Sequence, residues 1–487
     1  MRIRTLCLAG AVAGLVGGLA AAVYGASNDG PAVRQTGIVV TTVEDQQAAS
    51  AASGGVGFMV IGDQQEAPAA DDPAYASAES GPFVEESTAG CGACGVTGSR
   101  GGLACRRSHK CGGRCGGCVY CPGEPLPLFY SSTLDAMGIR FGGWVDHGVS
   151  VVANMPADRY NGVVTFNDRD AEYQMNQLWT YLEKEIDPNR FFDIGGRVDF
   201  VYGTDARFTQ AIDGLEANWD QEERFYQVAL PQFYLDASLA DWTFRIGHFL
   251  SPLGYEGVPA VGNFFYSHAY THQYGEPFTH TGFLLMCDFG RLSFSAGMHR
   301  GNDQFDDTDG LNALGYLGTV GWTNAADDIS VNFGISATED GPGVETVIYT
   351  LVSIFDLTDR FTWVIQHDYG STATYGRGRA RWYGLNQYLL YEINCCLAMG
   401  ARIEWFRDED GTRVRGLGDG NRAVGPFIGD FYEITFGLNW RPHSNIIVRP
   451  EIRWDWFDQD GPGEVQPFDA GDSKDQFLFG CDMIVLF

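Results

Sequence analysis

The sequence predicts an all-β protein, a transmembrane antiparallel β-barrel of about 16 strands behind a disordered, cysteine-rich N-terminal extension. Three observations carry that expectation. Glycine supplies 64 of 487 residues and aromatics 13%, a pairing that favours strands joined by tight turns. From residue 131 to the end, segments with period-two alternation follow one another. The second face of those segments carries charge, which rules out a dry sandwich core.

The N-terminus comes first. Arg2 and Arg4 precede an apolar, small-residue run from Leu6 to Ala22, with candidate cleavage sites between Ala22 and Ala26. That layout predicts a signal peptide over 1–26 and an exported chain. Past residue 30 there is no apolar run of the 18 or more residues that a membrane helix needs, so any crossing falls to strands. Residues 27–90 are rich in Ala, Gly, Gln, Ser and Asp, poor in aromatics and without periodicity, and read as disordered.

Residues 91–125 form a Cys/Gly-rich segment with Cys91, Cys94, Cys105, Cys111, Cys115, Cys118 and Cys121. In an exported chain disulfides are the default, and their connectivity cannot be read from spacing. An odd number leaves one thiol for another molecule or for Cys287, Cys395, Cys396 or Cys481. The preferred reading is a disulfide-bonded module or a cross-link to an envelope layer. A Zn²⁺ site through the Cys-x2-Cys pairs is the lesser alternative.

Strand signals fill 131–487. Ile446, Val448, Pro450, Ile452, Trp454 and Trp456 alternate with Ile447, Arg449, Glu451, Arg453 and Asp455. Tyr432, Ile434, Phe436, Leu438 and Trp440 oppose Phe431, Glu433, Thr435, Gly437 and Asn439. Phe192, Ile194, Val198, Phe200 and Tyr202 oppose Asp193, Arg197 and Asp199, and Ile403 and Trp405 oppose Arg402 and Glu404. In the last strand Phe477, Phe479, Cys481, Met483, Val485 and Phe487 share a face, opposite Gln476, Leu478, Gly480, Asp482, Ile484 and Leu486. A face of Arg, Glu, Arg and Asp needs water or paired charges, and a face of Ile, Val and Trp cannot meet bulk water over many strands. Lipid outside and a wet lumen inside satisfy both. The strand centres are expected near 145, 178, 197, 231, 245, 284, 295, 318, 333, 350, 364, 385, 401, 435, 451 and 481.

Acidic residues number 62 against 32 basic, for a net charge of −30. This excludes a nucleic-acid binder, which needs a basic footprint. Residues 1–130 hold 11 acidic and eight basic side chains, so nearly all of the acidity belongs to the strand-rich part. Only Lys110, Lys184 and Lys474 are lysines. Arginine is the cation suited to forked contacts with carboxylates in a charged lumen. Candidate pore-lining residues are Arg197, Asp199, Arg245, Arg402, Glu404, Arg449, Glu451, Arg453 and Asp455. Opposed ladders of this kind set a transverse field and tune ion selectivity, and the acidic excess predicts a mild preference for cations.

The stretch Phe244–Gly282 reads FRIGHFLSPLGYEGVPAVGNFFYSHAYTHQYGEPFTHTG. With Gly143-Trp144-Val145-Asp146, Thr165-Phe166-Asn167-Asp168-Arg169 and Met298-His299-Arg300-Gly301-Asn302-Asp303, it resembles the OmpL-like beta-barrel porin family of the planctomycete outer-membrane type. The resemblance covers about 135–487 and implies an outer-membrane porin or channel of no defined solute. It also gives a meaning to the terminal Phe487, since such barrels present a terminal aromatic to their insertion machinery.

Between about 251 and 280 the chain is too long for a hairpin and is braced by Pro252, Pro259 and Pro277. Such a segment is functional or packed. It is read either as a loop folded into the lumen, slightly favoured, or as a packed external loop. Constriction candidates are Tyr255, Glu256, Phe264, Phe265, Tyr266, His268, Tyr270, His272, Tyr274 and Glu276. The spacing His268-x3-His272 would suit a metal on a helical turn, but the neighbouring Pro and Gly argue against a helix. The histidines are therefore read as structural, with no metal and no cofactor. Ser251 and Ser267 near His248 and His268 are a weak hint of catalysis, and no Gly-x-Ser-x-Gly elbow is present, so no enzymatic activity is expected. Acidic runs at 303–310 and 455–461 invite Ca²⁺, but lack the spacing of a dedicated loop.

The expected function is passive passage of small hydrophilic solutes or ions through the bacterial outer membrane, with lipid as the surrounding partner. A homo-oligomer and a disulfide-linked envelope partner are further expectations. The alternative is a non-conducting anchoring barrel tied to another envelope layer through its Cys-rich arm.

Overall fold

Alternation becomes architecture because each strand must bury one face and offer the other to lipid. The computed structural model describes residues 125–487, apart from 217–218, 220–224, 307–313, 341–342, 375–377, 418–422 and 461–464. The expected signal peptide, the 27–90 segment and all seven clustered cysteines lie outside the described residues.

The strands are β1 (Arg140–Val152), β2 (Glu172–Lys184), β3 (Phe192–Gly203), β4 (Gln227–Leu239), β5 (Trp242–Leu250), β6 (Thr279–Phe289), β7 (Leu292–Asn302), β8 (Gly315–Thr323) and β9 (Ile329–Glu339). They continue with β10 (Val344–Asp356), β11 (Phe361–Thr374), β12 (Gly378–Asn394), β13 (Leu397–Asp408), β16 (Gly429–His443), β17 (Ile446–Gln459) and β18 (Asp475–Leu486). Two short strands, β14 (Gly416–Leu417) and β15 (Ala423–Val424), pair only with each other in the connection between β13 and β16. The other sixteen form one closed antiparallel barrel in which every strand pairs with its neighbour in sequence. Closure is made by β1 on β18, with Val145 opposite Val485 and Val149 opposite Cys481. Each strand centre expected from the sequence falls inside one of these sixteen.

Connections alternate in length around the ring. At one end the turns are short, as at 240–241, 290–291, 395–396 and 444–445; at the other they run to 153–171, 204–226, 251–278 and 409–428. Short turns face the periplasm and long loops the exterior in outer-membrane barrels. No helix among the described residues is long and apolar enough to cross a membrane.

Burial follows the alternation. On β17, Arg449, Glu451, Arg453 and Asp455 are buried inside, while Ile452 and Trp454 are exposed outside. Outward Trp242, Trp322, Tyr391 and Trp440 ring the short-turn end, and Tyr173, Tyr202, Tyr432 and Trp456 the long-loop end. These are the two interfacial girdles of a membrane barrel.

Candidate pore constriction

A tight neck turns the β5–β6 connection inward. Ser251 N donates to Phe278 O (2.9 Å), and Ser251 Oγ lies 3.0 Å from His280 Nε2. Asp303 Oδ1 accepts from the N–H groups of Phe278 (2.6 Å) and Thr279 (3.0 Å). Between these points residues 251–278 lie inside the barrel, with a 3₁₀ turn at Ala260–Gly262 and one wide helical turn at Thr271–Gly275. That second turn contains His272 but not His268, so the two histidines do not share a helical turn, although their rings stack 4.7 Å apart.

The inner wall supplies what the loop backbone lacks. Gln177 on β2 donates to Val258 O (2.7 Å) and accepts from Ala260 N (3.0 Å). Arg449 Nη1 donates to the carbonyls of Ala260 (2.9 Å) and Asn263 (3.0 Å). Glu451 accepts from the N–H groups of Tyr266 and Ser267, and Glu404 from those of Tyr270 and Thr271. Arg453 Nη1 donates to His268 O (2.5 Å), and Trp382 Nε1 to Gly275 O (3.1 Å). Thr350 and Gln366 take the N–H groups of Gly254 and Tyr255. Strands from both sides of the ring therefore grip one loop, as buried polar groups require.

Arg402 is the hub. Its Nη1 donates to Glu256 Oε1 and to Ser267 O, each at 2.7 Å; its Nη2 donates to Ser267 Oγ (3.0 Å), and its Nε to Glu433 Oε1 (2.5 Å). Glu256 also receives the Tyr388 hydroxyl (2.9 Å) and His268 Nδ1 (3.0 Å). Burial pushes the Glu256 carboxyl up, but Arg402 and His268 outweigh it and hold it well below the usual range. Burial lowers His268 to about 4, against the opposing pull of Glu256, and lowers His272 to about 4. Glu276 has no arginine beside it. Its carboxyl faces Asp368 and Gln366, and burial pushes it up to about 8.

All ten constriction candidates lie on this inserted segment. Tyr270 donates its hydroxyl to Asp455 (2.6 Å), Tyr266 to Asn176 (3.0 Å) and Tyr274 to the carbonyls of Val163 and Arg415. The Phe264 and Phe265 rings pack together at 4.9 Å, and the Tyr255 ring meets Tyr388 at 4.7 Å. Of the nine pore-lining candidates, Arg402, Glu404, Arg449, Glu451, Arg453 and Asp455 face inward onto this loop, and at this level they meet protein in place of open water. The other three sit apart on the wall. Arg197 is forked onto Asp199 (2.6 and 2.8 Å), and Arg245 onto Asp236 (2.9 and 2.8 Å).

Other sequence hints resolve differently. Ser251 meets His280 and not His248, while Ser267 serves Arg402 and His268 serves Glu256, so neither Ser–His neighbour pair noted in the sequence forms a hydrogen bond. Asp455 belongs to a strand and Asp303 caps the neck, while residues 307–310 and 461 of the acidic runs lie outside the described residues. Among the described residues no group of three or more His, Cys, Asp or Glu is placed to hold a metal ion.

Residues not singled out from the sequence complete the belt: Glu433, Asp482, Gln177, Gln366, Asp368, Trp382 and Tyr388. Glu433 and Asp482 stand on the alternating polar face, which was the available signal. The 153–171 connection was also missed as a partner. Thr165 N donates to Gln273 Oε1 (2.6 Å), and Phe166 packs at 4.4 Å on His268. The separate motifs thus converge on one place, since Trp144 Nε1 donates to Gln177 (2.9 Å) and His299 Nδ1 lies 3.2 Å from His280 Nδ1.

A closed sixteen-strand barrel with aromatic girdles and a long loop folded into its lumen is an outer-membrane protein of the porin class. The chain belongs to the family described as "Putative beta-barrel porin-2, OmpL-like", which matches residues 138–487. Among solved structures, the anion-selective porin from Comamonas acidovorans is similar with a TM-score of 0.51 at 11% identity, over 72% of this chain and 99% of that one. The outer membrane channel DcaP of Acinetobacter baumannii gives 0.47 at 12% identity (74% and 100%), and OmpT of Vibrio cholerae 0.46 at 10% (72% and 97%). Comparison with curated proteins gives no match. The location is the bacterial outer membrane.

Proposed function

We propose that this protein is a diffusion porin whose 251–278 loop forms the constriction, passing small hydrophilic solutes or ions with a mild preference for cations. The carrying observation is the loop itself, gripped across the lumen by Gln177, Arg402, Glu404, Arg449, Glu451 and Arg453 on one side and by Thr350 and Gln366 on the other. A fixed loop with charged anchors narrows a barrel and lets its charges act on what passes. The cation preference is supported by the net charge of −30. The proposal includes no catalytic step, and family members are channels. Homo-oligomers belong to the same proposal.

One observation favours a second reading. Tyr270, Thr271, Arg402, Glu433 and Arg453 are almost wholly excluded from solvent, so the belt is packed. Dense packing suits a non-conducting barrel with an anchoring role, its Cys-rich arm reaching another envelope layer. Single-channel recording of the refolded full chain in KCl separates the two. The porin reading expects discrete steps, with a reversal potential under a salt gradient that is cation-selective. Silence from folded protein favours the anchor, and anion selectivity contradicts the proposed preference.

A further inference from the structure

The chain reaches β1 along the outside of the barrel. Leu126 N donates to Asn445 Oδ1 (3.0 Å), and Asn445 Nδ2 donates back to Leu126 O (2.8 Å). Asn445 sits in the short turn between β16 and β17, and it also donates to Leu486 O (3.0 Å). Three residues on, the Phe129 ring stands edge-on to Phe141 (5.8 Å) and Phe487 (5.7 Å). Phe141 belongs to the outward row of β1, and Phe487 continues the outward row of β18. Residues 126–130 therefore cross the short-turn rim on its lipid side. Ser131 then caps the short helix Ser132–Ala136, which leads into β1.

The outer side of this crossing is apolar and uncovered. Leu126 is 60% exposed, Leu128 63%, Phe129 60% and Tyr130 71%. Residues 125–131 read Pro-Leu-Pro-Leu-Phe-Tyr-Ser and carry no charge. Two of the first three residues are prolines without an N–H, and the leucine between them is bonded through both its backbone groups. The two prolines and the doubly bonded Leu126 reduce the backbone demand at the start of the run, and the backbone groups of Leu128, Phe129 and Tyr130 fall to the hydrated headgroup zone while their side chains reach the acyl chains. The tyrosine that closes the run suits a membrane interface, with an apolar body and a polar tip.

We infer that residues 126–130 form an interfacial strap whose partner is the acyl-chain region of phospholipid in the periplasm-facing leaflet. The patch continues the lipid-facing rows of β1 and β18 without a break, through Phe141 and Phe487, and it lies at the short-turn end. Lipid covers that continuous surface. Residue 125 therefore stands at the lipid-facing rim, outside the lumen.

Photo-cross-linking tests this. The full chain carrying Leu128→p-benzoylphenylalanine or Tyr130→p-benzoylphenylalanine is refolded into vesicles of phosphatidylethanolamine and phosphatidylglycerol. Folding is checked by heat-modifiable gel migration, and the samples are then irradiated. The expected result is a mass shift of one phospholipid at both positions, and none at the exposed short-turn control Asp327→p-benzoylphenylalanine. An adduct of twice the chain mass would identify a second copy as the partner and overturn the inference. Folded protein without a phospholipid adduct at either position would overturn it too.

Discussion

At the scale of single residues, the lumen is organised by guanidinium groups that serve loop and wall together. Arg402 joins Glu256 and Ser267 of the loop to Glu433 of β16. Removing one partner of a buried ion pair costs about 3–5 kcal/mol, because the charge left behind stays buried. Arg402→Leu is expected to lower the temperature of the heat-modifiable gel transition and to make channel currents noisier; an unchanged transition would contradict the hub role. Titration acts on the same belt. His268 and His272, lowered to about 4, favour docking fully above their ordinary 6.5 and lose that contribution as pH falls through about 4. Glu276, raised to about 8, favours docking fully below its ordinary 4.5 and loses that contribution as pH rises through about 8. The loop is therefore held most firmly between these limits. Conductance recorded across pH is expected to rise on both sides, and Glu276→Gln is expected to abolish the alkaline rise alone. The charged side chains were legible one by one, because alternation assigns Arg402, Glu404 and Arg453 to the inner face. Their partners were not, since a period of two gives the face of a residue but not what fills the space opposite it.

At the scale of elements, strands and loop differ in how much the sequence specifies. A strand declares itself through its alternation, and all sixteen expected centres lie in barrel strands. The loop declared only its length, its prolines and its aromatics, so its two readings stood close together. What fixes its course is non-local: Gln177 on β2 and Arg449 on β17 bond the same Ala260, and neither residue is near it in sequence. The short helical turn that does form, Thr271–Gly275, begins after His268 and is fixed in the same way. Glu404 accepts the N–H groups of Tyr270 and Thr271 and so steadies a turn that Gly275 alone would not favour. Gly254 shows how closely the loop's ends fit. Its φ is +84°, and a Cβ there would overlap the Glu276 carboxyl. Gly254→Ala is expected to cost about 1–3 kcal/mol, read as a lower gel-transition temperature; a neutral result would mean that this end of the loop is loosely held.

At the scale of the whole molecule, a barrel this wide is defined by what occupies it. Sixteen strands enclose a channel in porins, and here the β5–β6 loop crosses that space, bonded to Gln177 on β2 and to Thr350 on β10 across the ring. The motifs that carried the family resemblance lie far apart in sequence and meet at this loop. The loop's role as constriction is tested most directly by the single-channel conductance of a chain lacking residues 255–275, compared with the full chain in the same KCl solution. A larger conductance is expected from a deletion variant that still shows the gel shift of a folded barrel. Equal conductance from the two folded proteins would contradict it.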